Sequence, residues 1–135
     1  MTINKATLLQ ELHNHAEKFL MENFGMHFNI PIKINGRLRT TGGRFRYRYN
    51  VVTRLNTSID IEIAKFVCEN GTKEEILDIL EHECIHYALS ERGEPCGDND
   101  AHFINTCNRL NVCLSHHIVN KHHSYACPDC GTIVD

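Results

Sequence analysis

The chain has 135 residues, 41% of them hydrophobic and 23% charged, which matches one soluble globular domain with enough length to bury a real core. It shows neither a secretory signal nor an apolar run of membrane-spanning length, and its seven cysteines include one tight C-x-x-C, so we expect a cytoplasmic, metal-binding protein with no membrane partner. The net charge of −3 hides an asymmetry: no acidic residue lies between Asn23 and Ile59, whereas Lys33, Arg37, Arg39, Arg44, Arg46, Arg48 and Arg54 all do.

In chain order, Leu8, Leu9, Leu12, Ala16, Phe19, Leu20 and Phe24 form one apolar stripe at helical spacing, which predicts a scaffold helix from about Ala6 to Phe24. His13 and His15 stand two apart and cannot share a helix face, so they read as solvated side chains. A strand-rich basic segment follows. Phe28 to Asn35 alternates around Ile30, Ile32 and Ile34; Asn35-Gly36 and Gly42-Gly43 signal turns. Arg44-Phe45-Arg46-Tyr47-Arg48-Tyr49 alternates strictly, arginines on one face and aromatics on the other. Ser58 to Ala64 alternates again. These segments predict a three-stranded antiparallel sheet, or a hairpin with one added strand, packed on the helices. Its arginine face has two readings: a phosphate-binding face with bases stacked on the aromatics, or a solvated face whose charge deters edge pairing.

Thr72-Lys73-Glu74-Glu75 reads as a capping box, and the apolar residues Ile76, Leu77, Ile79, Leu80, Cys84, Ile85, Ala88 and Leu89 continue it as a helix that Gly93 and Pro95 end. In its second half stands His82-Glu83-Cys84-Ile85-His86. Two histidines four apart lie one turn apart on one face and can converge on a cation, and Glu83 lies beside them as a general base. This is the H-E-x-x-H pattern of zinc peptidases. Two histidines leave a catalytic zinc one protein ligand short. Cys96, Asp98, Asp100 and His102 are the candidates, and spacing alone does not choose among them. A further helix carries Phe103, Ile104, Cys107 and Leu110. Cys68, Cys84 and Cys107 fall in apolar patterns and read as core. Near the end, Cys127-Pro128-Asp129-Cys130-Gly131 is half of a zinc knuckle; His122, His123, Cys113, His116 and His117 are possible partners, and a metal-free tail is the alternative.

Three features in order resemble the SprT-like zinc metallopeptidases: the hairpin Arg37-Leu38-Arg39-Thr40-Thr41-Gly42-Gly43-Arg44-Phe45, the motif segment His82 to Tyr87, and a loop ending in Phe103 followed by a helix and Cys127-x-x-Cys130. The resemblance implies an α+β fold with a small sheet on an N-terminal helix and a motif helix, a core over residues 1–112 and a partial zinc-ribbon tail over 113–135. It implies Zn2+ as cofactor and a protein or peptide substrate. Many family members place a histidine four or five residues before the aromatic matched by Phe103; counting back gives Asn99 and Asp98, so the expected ligands are His82, His86 and Asp98, with His102 the fallback. Glu83 is the expected general base, with Tyr87 or an arginine as a possible assistant. The resemblance adds a substrate class, proteins held on DNA, with Arg37, Arg39, Arg44, Arg46 and Arg48 as the DNA contacts and Cys127 and Cys130 as a structural metal pair. Two alternatives stand beside it: a DNA-associated zinc protein with little turnover, and a general intracellular peptidase indifferent to DNA.

Overall fold

The periodicities above become four helices and one three-stranded sheet in a computed structural model of the chain, which describes residues 5–114 throughout and, beyond them, only the backbone of a two-stranded pair, His117–Ile118 with Tyr125–Ala126. Cys127 and Cys130 lie outside the described residues. Helix α1 (Lys5–Phe24) buries Leu8, Leu12, Ala16, Phe19, Leu20 and Phe24, the expected stripe. Strands β1 (Ile32–Asn35), β2 (Gly43–Asn50) and β3 (Leu55–Ala64) form the sheet, and α2 (Lys65–Asn70), α3 (Lys73–Glu91) and α4 (Ala101–Leu110) follow. Helix α2, a short helix of six residues between β3 and the capping box, has no counterpart in the sequence reading.

The fold class is α+β, as expected, but the sheet is mixed. Its order is β1-β3-β2, with β2 antiparallel and β1 parallel to β3. The Asn35-Gly36 turn does not fold β2 back onto β1. The chain crosses to the far side of β3 instead, and the longest strand takes the centre. Asp60 to Ala64 of β3 are buried in unbroken succession, which is the burial of a strand flanked on both sides.

Helix α3 is the axis of the molecule. Thr72 Oγ1 accepts from the Glu75 N–H (3.1 Å) and the Thr72 N–H donates to Glu75 Oε1 (2.8 Å), completing the capping box. From His82 to Ser90 every residue is buried, because α1, β2, β3 and α4 all pack against this helix. Gly43 permits the approach of β2: a Cβ there would lie 2.8 Å from the Glu62 carbonyl and 2.9 Å from Ile79 Cγ2. At the other end Gly93 takes a left-handed φ of 72°, and the Glu94 N–H donates to the Leu89 carbonyl, turning the chain back over the helix. Among the described residues no helix is long and apolar enough to cross a membrane.

Candidate metal centre

The H-E-x-x-H segment lies on the face of α3 that floors a cleft of about 540 Å³. One wall is the edge strand β2, from Gly43 to Tyr47; the other is the loop Cys96–Asn99, with Leu114 beside it. His82, Glu83 and His86 are all buried, and each offers a ligand atom within 4.8 Å of the others', so the group can hold a metal ion.

The backbone fixes both imidazoles. His82 Nδ1 donates to the Cys113 carbonyl (2.8 Å) and His86 Nδ1 to the Cys96 carbonyl. With the proton of each neutral ring on Nδ1, both Nε2 atoms present lone pairs to the cleft. They face each other at 3.3 Å. Asp98 Oδ1 lies 3.0 Å from His86 Nε2 and 3.5 Å from His82 Nε2. Phe103 of α4 sets the ring planes: the His86 imidazole stacks on it at 3.9 Å, and His82 meets it edge-on at 5.2 Å.

The electrostatics follow from this crowding. Burial pushes the Glu83 carboxyl above its ordinary value; His82 and His86 pull it back only in part, as does the Phe45 backbone N–H of the β2 edge. The two histidines, His82 foremost, hold Asp98 well below the usual carboxylate range. Burial works against protonation of His82, but the Asp98 and Glu83 carboxylates and the Cys113 carbonyl together outweigh it and raise its value.

Asp98 therefore stands at the site, presented by a turn in which the Gly97 N–H donates to Asp100 Oδ2 (2.8 Å). His102, the fallback, does not: its Nε2 is engaged by Glu94 Oε1 at 2.8 Å on the outside of the loop. Tyr87 is not an assistant in the cleft either, because its hydroxyl accepts from the Asn29 N–H and donates toward the His27 carbonyl. Cys68, Cys84 and Cys107 are buried, and burial pushes the Cys107 thiol up to about 12 and the Cys68 thiol up to about 11, so they are inert packing.

The arginine face is divided. Arg46 makes a two-point pair with Asp60 (Nε–Oδ1 2.8 Å, Nη2–Oδ2 2.6 Å), and Lys33 reaches the same carboxylate at 3.4 Å. Arg44 pairs with Glu62 at 2.5 Å, and Asn35 donates to the same oxygen at 3.0 Å. Arg46 holds the fully buried Asp60 below its ordinary value. For Glu62 burial pushes upward, but Asn35, Arg44 and Arg46 together bring the value down. Arg37, Arg39, Arg48 and Arg54 form no ion pair among the described residues. Sequence reasoning missed Phe103 as the platform under both imidazoles, although its helical spacing to Cys107 marked it as buried. It also missed the carbonyls of Cys96 and Cys113, for which the sequence holds no signal. The Cys113 carbonyl, which holds His82, and Leu114, which lines the cleft, both fall in the segment that the sequence reading assigned to the tail.

A family model described as the SprT-like family matches residues 9–123. The chain belongs to the SprT-like family. Among SprT-like relatives, a Bacillus cereus (strain G9842) protein named "Protein SprT-like" is 28% identical over 127 residues, which is 90% of this chain and 78% of its own length. A protein of the same name from Bacillus anthracis (strain A0248) is 36% identical over 94 residues, 70% of this chain and 56% of the relative. The chain thus spans little more than half the length of that second relative. No solved structure matches.

Proposed function

We propose that this SprT-like chain is a zinc-dependent peptidase in which His82, His86 and Asp98 hold the ion and Glu83 is the general base. One observation carries the reading: two imidazole lone pairs and a carboxylate oxygen converge with mutual separations of 3.0 to 3.5 Å, beside a buried glutamate. A tetrahedral ion with nitrogen and oxygen donors at about 2.0–2.1 Å spaces its ligand atoms about 3.3 Å apart, so these residues suit zinc. Each of the three atoms can direct a lone pair at one ion placed between them. The second-sphere carbonyls of Cys96 and Cys113 raise the basicity of both imidazoles.

Bound there, zinc would polarise the scissile carbonyl and lower the pKa of water. The chain's own residues supply the rest. Glu83, buried and with its pKa raised above the ordinary carboxylate value by that burial, accepts the proton of the attacking water and passes it to the leaving amine. The β2 edge offers main-chain hydrogen bonds to an extended substrate backbone, and Phe45 and Tyr47, stacked at 5.4 Å, offer an aromatic wall. The substrate class we assign is proteins held on DNA. The support is the acid-free stretch and the guanidinium groups of Arg37 and Arg39, which no described carboxylate neutralises; Arg44 and Arg46 are occupied within the sheet. We keep residues 113–135 as a tail with a Cys127–Cys130 metal pair within the same proposal.

A second reading, a DNA-associated zinc protein with little turnover, is favoured by one feature. The third ligand is a carboxylate, which leaves zinc a weaker Lewis acid than a third imidazole would. Zinc-loaded wild type incubated with an unfolded protein such as casein, with and without single-stranded DNA, separates the two. Cleavage that Glu83→Gln abolishes while retaining zinc supports the peptidase. Retained zinc with no cleavage under either condition supports the second reading.

A further inference from the structure

Beyond the cleft, β2 and β3 continue into a protruding hairpin whose tip is apolar. Val51 and Val52 are 77% and 85% exposed, Leu55 63% and Tyr49 53%. Hairpin turns favour Gly, Asn and Asp, and adjacent β-branched residues there run against that chemistry. The turn is nevertheless tightly built. Asn50 Oδ1 accepts from the N–H groups of Val52 (2.8 Å) and Thr53 (3.0 Å), the Arg54 N–H donates to the Asn50 carbonyl (2.7 Å), and Thr53 Oγ1 accepts from Leu55 (3.3 Å). Arg54 holds a left-handed φ of 63°, a conformation that costs a non-glycine residue free energy. A locally braced turn thus holds apolar side chains in water, the pattern of a preorganised contact surface.

We infer that this hairpin tip is a docking site for the part of a substrate that leaves the cleft, taking extended, apolar polypeptide with acidic residues. The inference rests on the peptidase reading and extends it. Two observations choose this occupant. The first is continuity: β2 is the edge strand beside Glu83 at Phe45, and five further residues at about 3.3 Å each carry the same edge about 17 Å to Asn50, where the turn begins. An extended chain whose backbone pairs with the edge is led past the register shift at Arg46–Tyr47 toward the tip, and the alternating N–H and C=O groups of a polypeptide match those of the edge. The second is charge. Arg48 and Arg54 flank the tip with no ion pair among the described residues, so carboxylates on the incoming chain are favoured there. Three of the four tip side chains, Val51, Val52 and Leu55, are aliphatic and present no ring face on which a base could stack; Tyr49 is the exception, so the tip favours apolar polypeptide over a nucleic-acid strand.

The test uses the full chain as the zinc-loaded Glu83→Gln variant, so that bound peptide is not consumed. Anisotropy is read on a fluorescein-labelled peptide in which valine alternates with glutamate. Adding Val51→Ser, Val52→Ser and Leu55→Ser together, or Arg48→Gln with Arg54→Gln, is expected to weaken binding about tenfold in each case, a loss of about 1.4 kcal/mol. The melting temperature should barely change, since these side chains are solvent-exposed. Equal affinity in parent and both variants overturns the inference. So does a tip-dependent affinity for poly-dT, or for vesicles of phosphatidylcholine and phosphatidylserine in equal parts, with peptide binding unaffected. Failure of the peptidase reading shows separately, as casein left intact by the zinc-loaded wild type.

Discussion

Two clusters of ionisable side chains lie close to β2 and differ in one respect, whether the protein completes them by itself. On the open face of the sheet, Asp60 and Glu62 are matched by Lys33, Arg44, Arg46 and Asn35. In the cleft, His82, His86 and Asp98 bring lone pairs together, and among the described residues no lysine or arginine pairs with Asp98 or with the neighbouring Glu83. The sheet cluster is closed and serves the fold. The cleft cluster gathers donor atoms that could hold a cation, and an arrangement of that kind is expected where a protein receives a guest.

The largest expected effect is in the cleft. Glu83→Gln should leave zinc bound and the melting temperature near wild type, while peptide hydrolysis falls on the order of 10²–10⁴-fold. His86→Ala should lose the ion as well, measured as zinc content after gel filtration. If Glu83→Gln cleaved at the wild-type rate, the base would lie elsewhere.

Next comes the sheet. Asp60→Ala leaves Arg46 and Lys33 without their shared carboxylate; because the Arg46 side chain is 39% exposed, solvent relieves part of the loss, and chemical denaturation should show about 2 kcal/mol of destabilisation. The same pair carries an acid dependence. Asp60 is held below its ordinary value by Arg46, so as the pH falls the unfolded chain takes up the proton first. The stabilisation is present above the unfolded value of about 3.9 and is lost as the pH drops through the folded one. Asp60→Asn should flatten that part of the stability profile and leave the profile near neutrality unchanged in shape.

Gly43→Ala tests the contact between the two regions. Its Cβ would press on Ile79 and the Glu62 carbonyl, with an expected cost of about 1–3 kcal/mol in stability. Displacement of the β2 edge should also raise the KM for unfolded protein more than it lowers kcat.

How far all this could be read from the sequence depends on the range of the interaction. The capping box of α3, the stripe of α1 and the His82–His86 pair are set by residues three and four apart, and all were legible. The alternation of β2 was legible as two faces, but not which carboxylates would lie opposite. Asp60 and Glu62 stand outside the acid-free stretch, and only the strand register brings them to Arg46 and Arg44. The parallel pairing of β1 was hidden for the same reason, since Asn35-Gly36 signals a turn and not the strand it leads to. That Asp98 rather than His102 faces the two imidazoles was not legible from spacing, because it turns on Glu94, eight residues before His102, which holds that imidazole on the outside of the loop.

The smallest effect sharpens the division of the arginines. Arg37→Gln with Arg39→Gln should weaken binding to single-stranded DNA several-fold and lower the salt slope by roughly one per residue removed, whereas Arg44→Gln should leave both unchanged. Equal losses from the two sets would mean that the sheet pairs open to receive phosphate.

The most direct measurement is zinc content, made on the Cys127→Ser/Cys130→Ser form so that only the cleft contributes. The account predicts one zinc per chain, lost or greatly weakened when Asp98→Ala is added and unaffected by His102→Ala. Full zinc occupancy in the Asp98→Ala form with unchanged affinity, or no zinc in the parent, would contradict it.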